Sequence, residues 1–456
     1  MNKIFNQNFK DNFDEINQNI DYHQYLNKKE KKRIKPLIIS LGALTACLVI
    51  SLPLIFKNNT TSKNNTTLEV KALNDVKRIY NKDNLPLNEN YIDSVKQFTL
   101  NFNDTLKKDK NIIYSPLSIQ TCYTLLLEGA NNNTYNELKN ALCYNDSFSY
   151  SKEILRMLNN TTKDNDKTTL ELNQSIWLDN KFKNAVHQDY LETLVNNYYA
   201  EVFTGALNTE EAHNELASYI NKKTRNFLNV KAEDFKDYNG ICWLLNTIYL
   251  KGTWTNAFDE KLNYVDNFTN NDNSTSKVTY MQNKSIKTGA YINDDYTIIM
   301  LPLYNNLKAN LLIANSDLSI YKEKEALNSL LNFNKLETKY VSANITLPQF
   351  KIQETYNLKE AFKELNVHDI FDENNADFTN MANLTDSNIY VANSKHEAGI
   401  EFTNKGIEGA AYTIIDMETE SAPKLEYITI NFNKPFMFSI SDMNNLPLFV
   451  GTVNNL

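Results

Sequence analysis

The ten residues 241–250, I-C-W-L-L-N-T-I-Y-L, constrain the fold more than any other stretch. Both alternating sets of side chains are apolar, so a strand here has to be covered on both faces. Asn246 is the polar exception. A buried amide must find hydrogen-bond partners, which makes Asn246 a polar node inside the sheet. The chain has 456 residues, 42% of them apolar, and can bury a core of that kind.

A second stretch, 404–424, reads N-K-G-I-E-G-A-A-Y-T-I-I-D-M-E-T-E-S-A-P-K. In an extended chain one face is Ile407, Gly409, Ala411, Thr413, Ile415, Met417 and Thr419. The other is Glu408, Ala410, Tyr412, Ile414, Asp416, Glu418 and Glu420, and every charge falls on it. The stretch opens at Gly406, packs small residues at Gly409, Ala410 and Ala411, and runs into Ser-Ala-Pro. It suits a permanent sheet strand and equally a loop able to join a sheet.

The other elements follow from periodicity and turn chemistry. Val95, Phe98, Phe102 and Leu106 predict an amphipathic helix over 91–108. Ser115 and Pro116 open a helix that is apolar on most sides through Leu127, and Asn133-Thr134 caps another. Residues 210–227 are a further helix, and Leu358, Ala361, Phe362 and Leu365 make one more helix face. Strands are expected at 111–114, 170–178, 341–352, 389–402, 428–440 and 447–453, with a hairpin turn at Asn305-Asn306.

Residues 36–56 carry no charge over 21 positions, enough for a membrane helix. Lys28, Lys29, Lys31, Lys32, Arg33 and Lys35 precede them, so the positive-inside rule puts 1–35 in the cytoplasm. The expected division is a cytoplasmic tail at 1–35, a transmembrane signal-anchor at 36–56, a spacer at 57–88 and a folded domain at 89–456. A cleaved signal peptide and a lipoprotein site at Cys47 are the alternatives. The continuing apolar run after Cys47 favours the anchor.

The net charge of −8 argues against nucleic-acid binding, which needs clustered Lys and Arg. Four cysteines show no zinc spacing; Cys122 and Cys242 read as buried small hydrophobes, and a Cys122–Cys143 bridge stays open. His187, His213 and His368 are placed in surface helices or turns. No nucleophile elbow, phosphate loop or dinucleotide fingerprint occurs, so nothing points to an enzyme or a cofactor.

Six fragments in order carry a family resemblance: N-I-I-Y-S-P-L-S-I (111–119), L-E-G-A-N-N-N-T-Y-N-E-L (127–138), L-L-N-T-I-Y-L-K-G-T-W (244–254), L-P-Q-F-K-I (347–352), A-D-F-T-N-M (376–381) and F-N-K-P-F-M-F-S-I with P-L-F-V-G-T-V (432–453). Together they resemble the serpin family, in the form of a prokaryotic, membrane-anchored member. The resemblance implies an α+β fold of three sheets, eight or nine helices and an exposed reactive-centre loop. It implies a monomer that inhibits a serine protease as a suicide substrate. The cleaved loop inserts into the central sheet while the protease stays trapped as an acyl-enzyme.

Under that resemblance the hinge is Gly406, Ile407, Glu408, Gly409, Ala410 and Ala411. It departs from the family pattern at Asn404, Ile407, Gly409 and Tyr412. Counting from Gly406 puts the scissile bond at Glu420–Ser421, with Thr419, Met417 and Lys424 as fallbacks, and implies a Glu-preferring serine protease; a cysteine protease is the alternative. Ser115, Ser118, Asn246 and His396 resemble the polar shutter beneath the sheet, and Trp254 the aromatic at the breach where the loop enters. The competing function is a non-inhibitory serpin-fold protein serving binding or adhesion at the cell surface.

Overall fold

The computed structural model describes residues 42–51, 78–79, 85–160, 167–238, 240–316, 319, 321, 324–384, 388–407 and 425–456. They lie in one compact unit, Ser40–Leu456. Among them are eight α-helices: α1 (Glu89–Asp104), α2 (Pro116–Leu127), α3 (Asn132–Ala141), α4 (Tyr150–Asn160), α5 (Gln188–Tyr198), α6 (Glu210–Lys223), α7 (Lys324–Leu331) and α8 (Leu358–Glu364). The strands are β1 (Gly42–Ser51), β2 (Ile112–Tyr114), β3 (Thr168–Asp179), β4 (Glu201–Gly205), β5 (Cys242–Thr253), β6 (Tyr264–Thr269), β7 (Thr275–Ile292), β8 (Tyr296–Pro302), β9 (Lys308–Ala314), β10 (Lys339–Pro348), β11 (Phe350–Asn357), β12 (Tyr390–Phe402), β13 (Gly406–Ile407), β14 (Glu426–Asn431), β15 (Phe436–Ser441) and β16 (Pro447–Val453).

The central sheet runs β11-β12-β1-β5-β3-β4, with β13 added on β5. As its composition requires, β5 is covered on both sides. Cys242, Leu244, Ile248 and Leu250 join the main core, whereas Trp243, Leu245 and Tyr249 join a second core with Leu216 and Ile220 of α6. The helix opened by Pro116 is buried along its whole length. The Ser115 hydroxyl accepts from the Ser118 amide and so caps it, and Pro116 needs no partner in the first turn. The remaining strands follow the path β14-β10-β7-β8-β9-β15-β16-β2, with β6 on β7. The second and third expected sheets thus share the long strand β7.

Three expected elements resolve differently. Residues 341–352 are two strands, and the chain changes sheets at Gln349 between β10 and β11. Residues 428–440 are also two, β14 and β15. α3 is capped by Asn131, whose side chain accepts from Asn132, and not by Asn133-Thr134. The Asn305-Asn306 turn is present between β8 and β9, with φ of 59° at both residues. Asn tolerates that left-handed conformation better than most residues.

The largest departure is at the N-terminus. Within the expected anchor, Gly42–Ser51 forms the strand β1, antiparallel to β12 on one side and to β5 on the other. A charge-free run suits a doubly covered sheet as well as it suits a bilayer. In both places every backbone polar group must be satisfied by protein. No helix among the described residues is long and apolar enough to cross a membrane. Residues 1–35, the rest of 36–56 and most of 57–88 lie outside the described residues.

No Cys122–Cys143 bridge forms. Cys122 and Cys242 are buried as expected of small hydrophobes. His213 is not on the surface; it is 8% exposed and lies against Trp243 with 5.8 Å between ring centroids.

Gly451 pairs with Phe438 in β15 and with Ile113 in β2. A Cβ there would sit 2.4 Å from Phe438 Cζ and 2.6 Å from the Ile112 carbonyl oxygen. Backbone cannot yield as a side chain can. Gly451→Ala should therefore lower stability by about 1–3 kcal/mol in urea unfolding. Wild-type stability in the variant would contradict this packing.

Candidate functional site

The chain reverses direction at the end of β12. Thr403 donates its amide to the Gly406 carbonyl at 2.9 Å, and Gly406 donates back to the Thr403 carbonyl at 3.2 Å. This tight hairpin carries the chain into β13, where Gly406 pairs with Thr253 and Ile407 with Gly252 at the end of β5. Gly406 has φ of +150°, and a Cβ on it would lie 2.1 Å from the Gly252 carbonyl oxygen. Only glycine fits so close an approach. Ile407 is fully buried.

Trp254 holds the hairpin from the β5 side. Its indole Nε1 donates to the Thr403 carbonyl at 3.0 Å, and its amide donates to the Lys405 carbonyl at 3.0 Å. Its ring lies edge-on to Phe258 and tilted against Phe402. Core packing and anchoring of the Thr403–Gly406 hairpin are thus served by the same side chain.

Asn404 is the residue that sequence reasoning undervalued. It is 3% exposed. Its Nδ2 donates to the Phe258 carbonyl at 3.2 Å and to Asn263 Oδ1 at 2.8 Å. Its Oδ1 accepts from Asn263 Nδ2 at 3.0 Å and from Gln349 Nε2. A neutral amide that both donates and accepts satisfies this ring of partners. Asn263 carried no signal of its own in the sequence, and Gln349 only its place in the L-P-Q-F-K-I fragment. The one usable signal was Asn404 itself, an amide where the family pattern has an acid.

Deeper in the sheet, Ser115, Ser118, Asn246 and His396 are all fully buried and all meet at the start of α2. The Ser115 amide donates to His396 Nε2 at 3.2 Å. The Ser118 amide donates to Ser115 Oγ at 3.0 Å, and Ser118 Oγ donates to Asn246 Oδ1 at 2.5 Å. The first turn of α2 therefore ties β12, through His396, to β5, through Asn246. Between those two strands runs β1, with Ala46 in register with both His396 and Asn246. Asn246 Nδ2 is buried with no hydrogen-bond partner among the described residues. Strands are spaced about 4.8 Å apart, so an intervening strand separates these two backbones by about 10 Å.

A family model described as "Serpin (serine protease inhibitor)" matches residues 93–456. The chain belongs to the serpin family. Serine proteinase inhibitor A3K of Cavia porcellus is 28% identical over 356 residues, covering 75% of this chain and 83% of that protein. Alpha-1-antiproteinase of Ovis aries is 27% identical over 353 residues, covering 76% and 82%. The fold is similar to that of the thermophilic serpin tengpin in its native state, with a TM-score of 0.68 and 20% identity over 83% of this chain and 97% of that one. It is equally similar to human thyroxine-binding globulin complexed with its ligand: TM-score 0.68, 22% identity, coverage of 80% and 98%.

In this serpin Gly406, Ile407 and Trp254 come together at the end of β5. Ser115, Ser118, Asn246 and His396 come together beneath the central sheet. Glu408, Gly409, Ala410, Ala411, Glu420 and Ser421 lie outside the described residues.

Two substitutions probe the hinge. Gly406→Ala should break the β13–β5 pairing and make the Thr403–Ile407 turn sensitive to limited proteolysis; unchanged resistance would contradict the close approach. Asn404→Asp replaces a donor by an oxygen facing the Phe258 carbonyl and Asn263 Oδ1. It should cost about 2–4 kcal/mol of stability at pH 8 and less at pH 4, where a protonated acid can donate again. Equal loss at both pH values would contradict the role of the Nδ2 donor.

Proposed function

We propose that this serpin is a suicide inhibitor of a serine protease. The observation that carries the reading is the hairpin at Thr403–Gly406. It sets Gly406 and Ile407 alongside β5, antiparallel to it, which supports a reactive-centre loop that starts there. A loop begun alongside β5 needs only to continue along it to become a sheet strand. The sequence of the loop supports this, since no charge falls on the face shared by Ile407 and Thr419. An unpaired carboxylate on that face would be costly to bury.

The protein supplies no catalytic group in this scheme. The protease's own nucleophile attacks the Glu420–Ser421 bond and forms the acyl-enzyme. Insertion of the freed loop then carries the enzyme away before water can release it. Glu420 enters the specificity pocket, which makes a Glu-preferring serine protease the first target to test, with a cysteine protease as the alternative. Ser115, Ser118, Asn246 and His396 act as the shutter that governs separation of β5 from β12, and Trp254 guards the breach. The serpin domain acts outside the cytoplasm. An anchor at 36–56 and the strand β1 are alternative uses of the same residues, because one segment cannot span a bilayer and lie in this sheet at once.

A second reading has its own observation. The lane between β5 and β12 is filled by β1, and a protein whose lane stays filled would serve binding without trapping.

The test is incubation of the full chain with a Glu-specific serine protease, followed by denaturing electrophoresis. The inhibitor reading expects a complex that survives SDS. Cleavage at the loop with no such complex, across several proteases, would favour the binding protein. Thr413→Arg places a charge on the inner face of the loop and should turn the inhibitor into a substrate that is cut and released. Retained trapping by this variant would overturn the face assignment.

A further inference from the structure

β1 is not simply an extra strand; it lies in the reactive loop's own lane. Gly406 and Ile407 pair with Thr253 and Gly252 of β5, running antiparallel. Continuing that register would put residue 409 opposite Leu250 and residue 417 opposite Cys242. Those β5 residues are already taken: Gly42 pairs with Leu250 and Ile50 with Cys242. β1 runs in the same direction as β13 and follows it along β5 after a gap of one residue, Lys251. Its other edge is paired with β12, from Ala43 opposite Gly399 to Ser51 opposite Tyr390.

The two segments also match in kind. Position by position, Gly42, Ala43, Leu44, Thr45 and Ala46 fall where Gly409, Ala410, Ala411, Tyr412 and Thr413 would fall. Both begin Gly-Ala, and neither puts a charge at the alternate positions from 42 to 50 or from 409 to 417. The position of Ala46 and Thr413 is the one flanked by Asn246 and His396. Two strands cannot share one pair of ladders, because each backbone group of β5 and β12 has one partner to give.

We propose that Gly42–Ser51 is an internal competitor of the reactive loop, an autoinhibitory strand that must leave the central sheet before the loop can insert. This rests on the reading that the loop inserts between β12 and β5. The competitor is tethered to the domain it blocks, so its effective concentration is high and independent of dilution. Whatever withdraws the segment arms the inhibitor. Its charge-free character makes an apolar environment, such as a bilayer, the setting that would hold it once withdrawn.

The experiment has two arms on the full chain, purified without detergent. Hydrogen exchange followed by mass spectrometry reads 42–51 directly and does not depend on inhibition. Slow exchange there, comparable with 242–253, is expected; exchange as fast as an unstructured peptide would overturn the proposal. Ala46→Asp then puts a carboxylate at the position between two buried polar groups, which the sheet should reject. Exchange over 42–51 should become fast, and SDS-stable complex should form at least about tenfold faster, as expected when the competent fraction rises tenfold. Ala46→Ser should keep the wild-type behaviour in both measurements. An Ala46→Asp protein that has lost protection at 42–51 yet traps no faster than wild type would overturn the competition. If neither protein traps at all while 42–51 is protected in the wild type, the inhibitor reading falls and β1 is a permanent strand.

Discussion

β5 and β12 do not pair with each other; each gives its inner row of backbone hydrogen bonds to β1. The rest of the molecule depends on this arrangement. Unpaired backbone groups inside a sheet covered on both faces would cost several kcal/mol each, so the lane between these strands has to be closed or filled. Closing it would bring Asn246 and His396 onto adjacent strands. Filling it separates them, and the first turn of α2 bridges the two banks from below through Ser115 and Ser118. The Nδ2 of Asn246 is buried with no partner among the described residues, which carries a desolvation cost.

The mouth of the lane is built with equal economy. Three features converge on one reversal of the chain: Gly406, which only a hydrogen at Cα permits; Trp254, which donates from both ring and backbone; and Asn404, held by Asn263, Gln349 and Phe258. None of these contacts requires a charge. Neutral, directional bonds fix the chain as far as Ile407. Lys405 of the hairpin adds one exposed ion pair, Nζ to Glu260 Oε1 at 3.5 Å, which salt screens, whereas the neutral bonds are not screened in this way.

Much of the fold was legible in the sequence because several signals agreed. Residues 241–250 read as a doubly covered strand and are one, with alternate residues in two separate cores. Ser115-Pro116 read as a helix start, and α2 begins there. Ser115, Ser118, Asn246 and His396, far apart in the chain and grouped together by the resemblance, are linked by hydrogen bonds at the start of α2. The largest failure arose because composition does not distinguish one apolar destination from another. Residues 36–56 suit a bilayer by length and charge, and Gly42–Ser51 suits the sheet by the same properties. The break at Gln349 was invisible because β10 and β11 are each plausible continuations of the other, and only the tertiary structure sends them to different sheets. Asn404 looked like a departure from the family hinge because its partners, Asn263 and Gln349, are 141 and 55 residues away in the chain and only the tertiary structure brings them together.

The central claim is that the lane between β5 and β12 holds one strand at a time, either Gly42–Ser51 or the reactive loop. The most direct measurement is a crystal structure of the full chain after cleavage of the loop. The expected result has residues 409–417 opposite Leu250 through Cys242, with Gly42–Ser51 no longer in the sheet. A cleaved structure in which Gly42 still pairs with Leu250 and Ile50 with Cys242 would contradict the account.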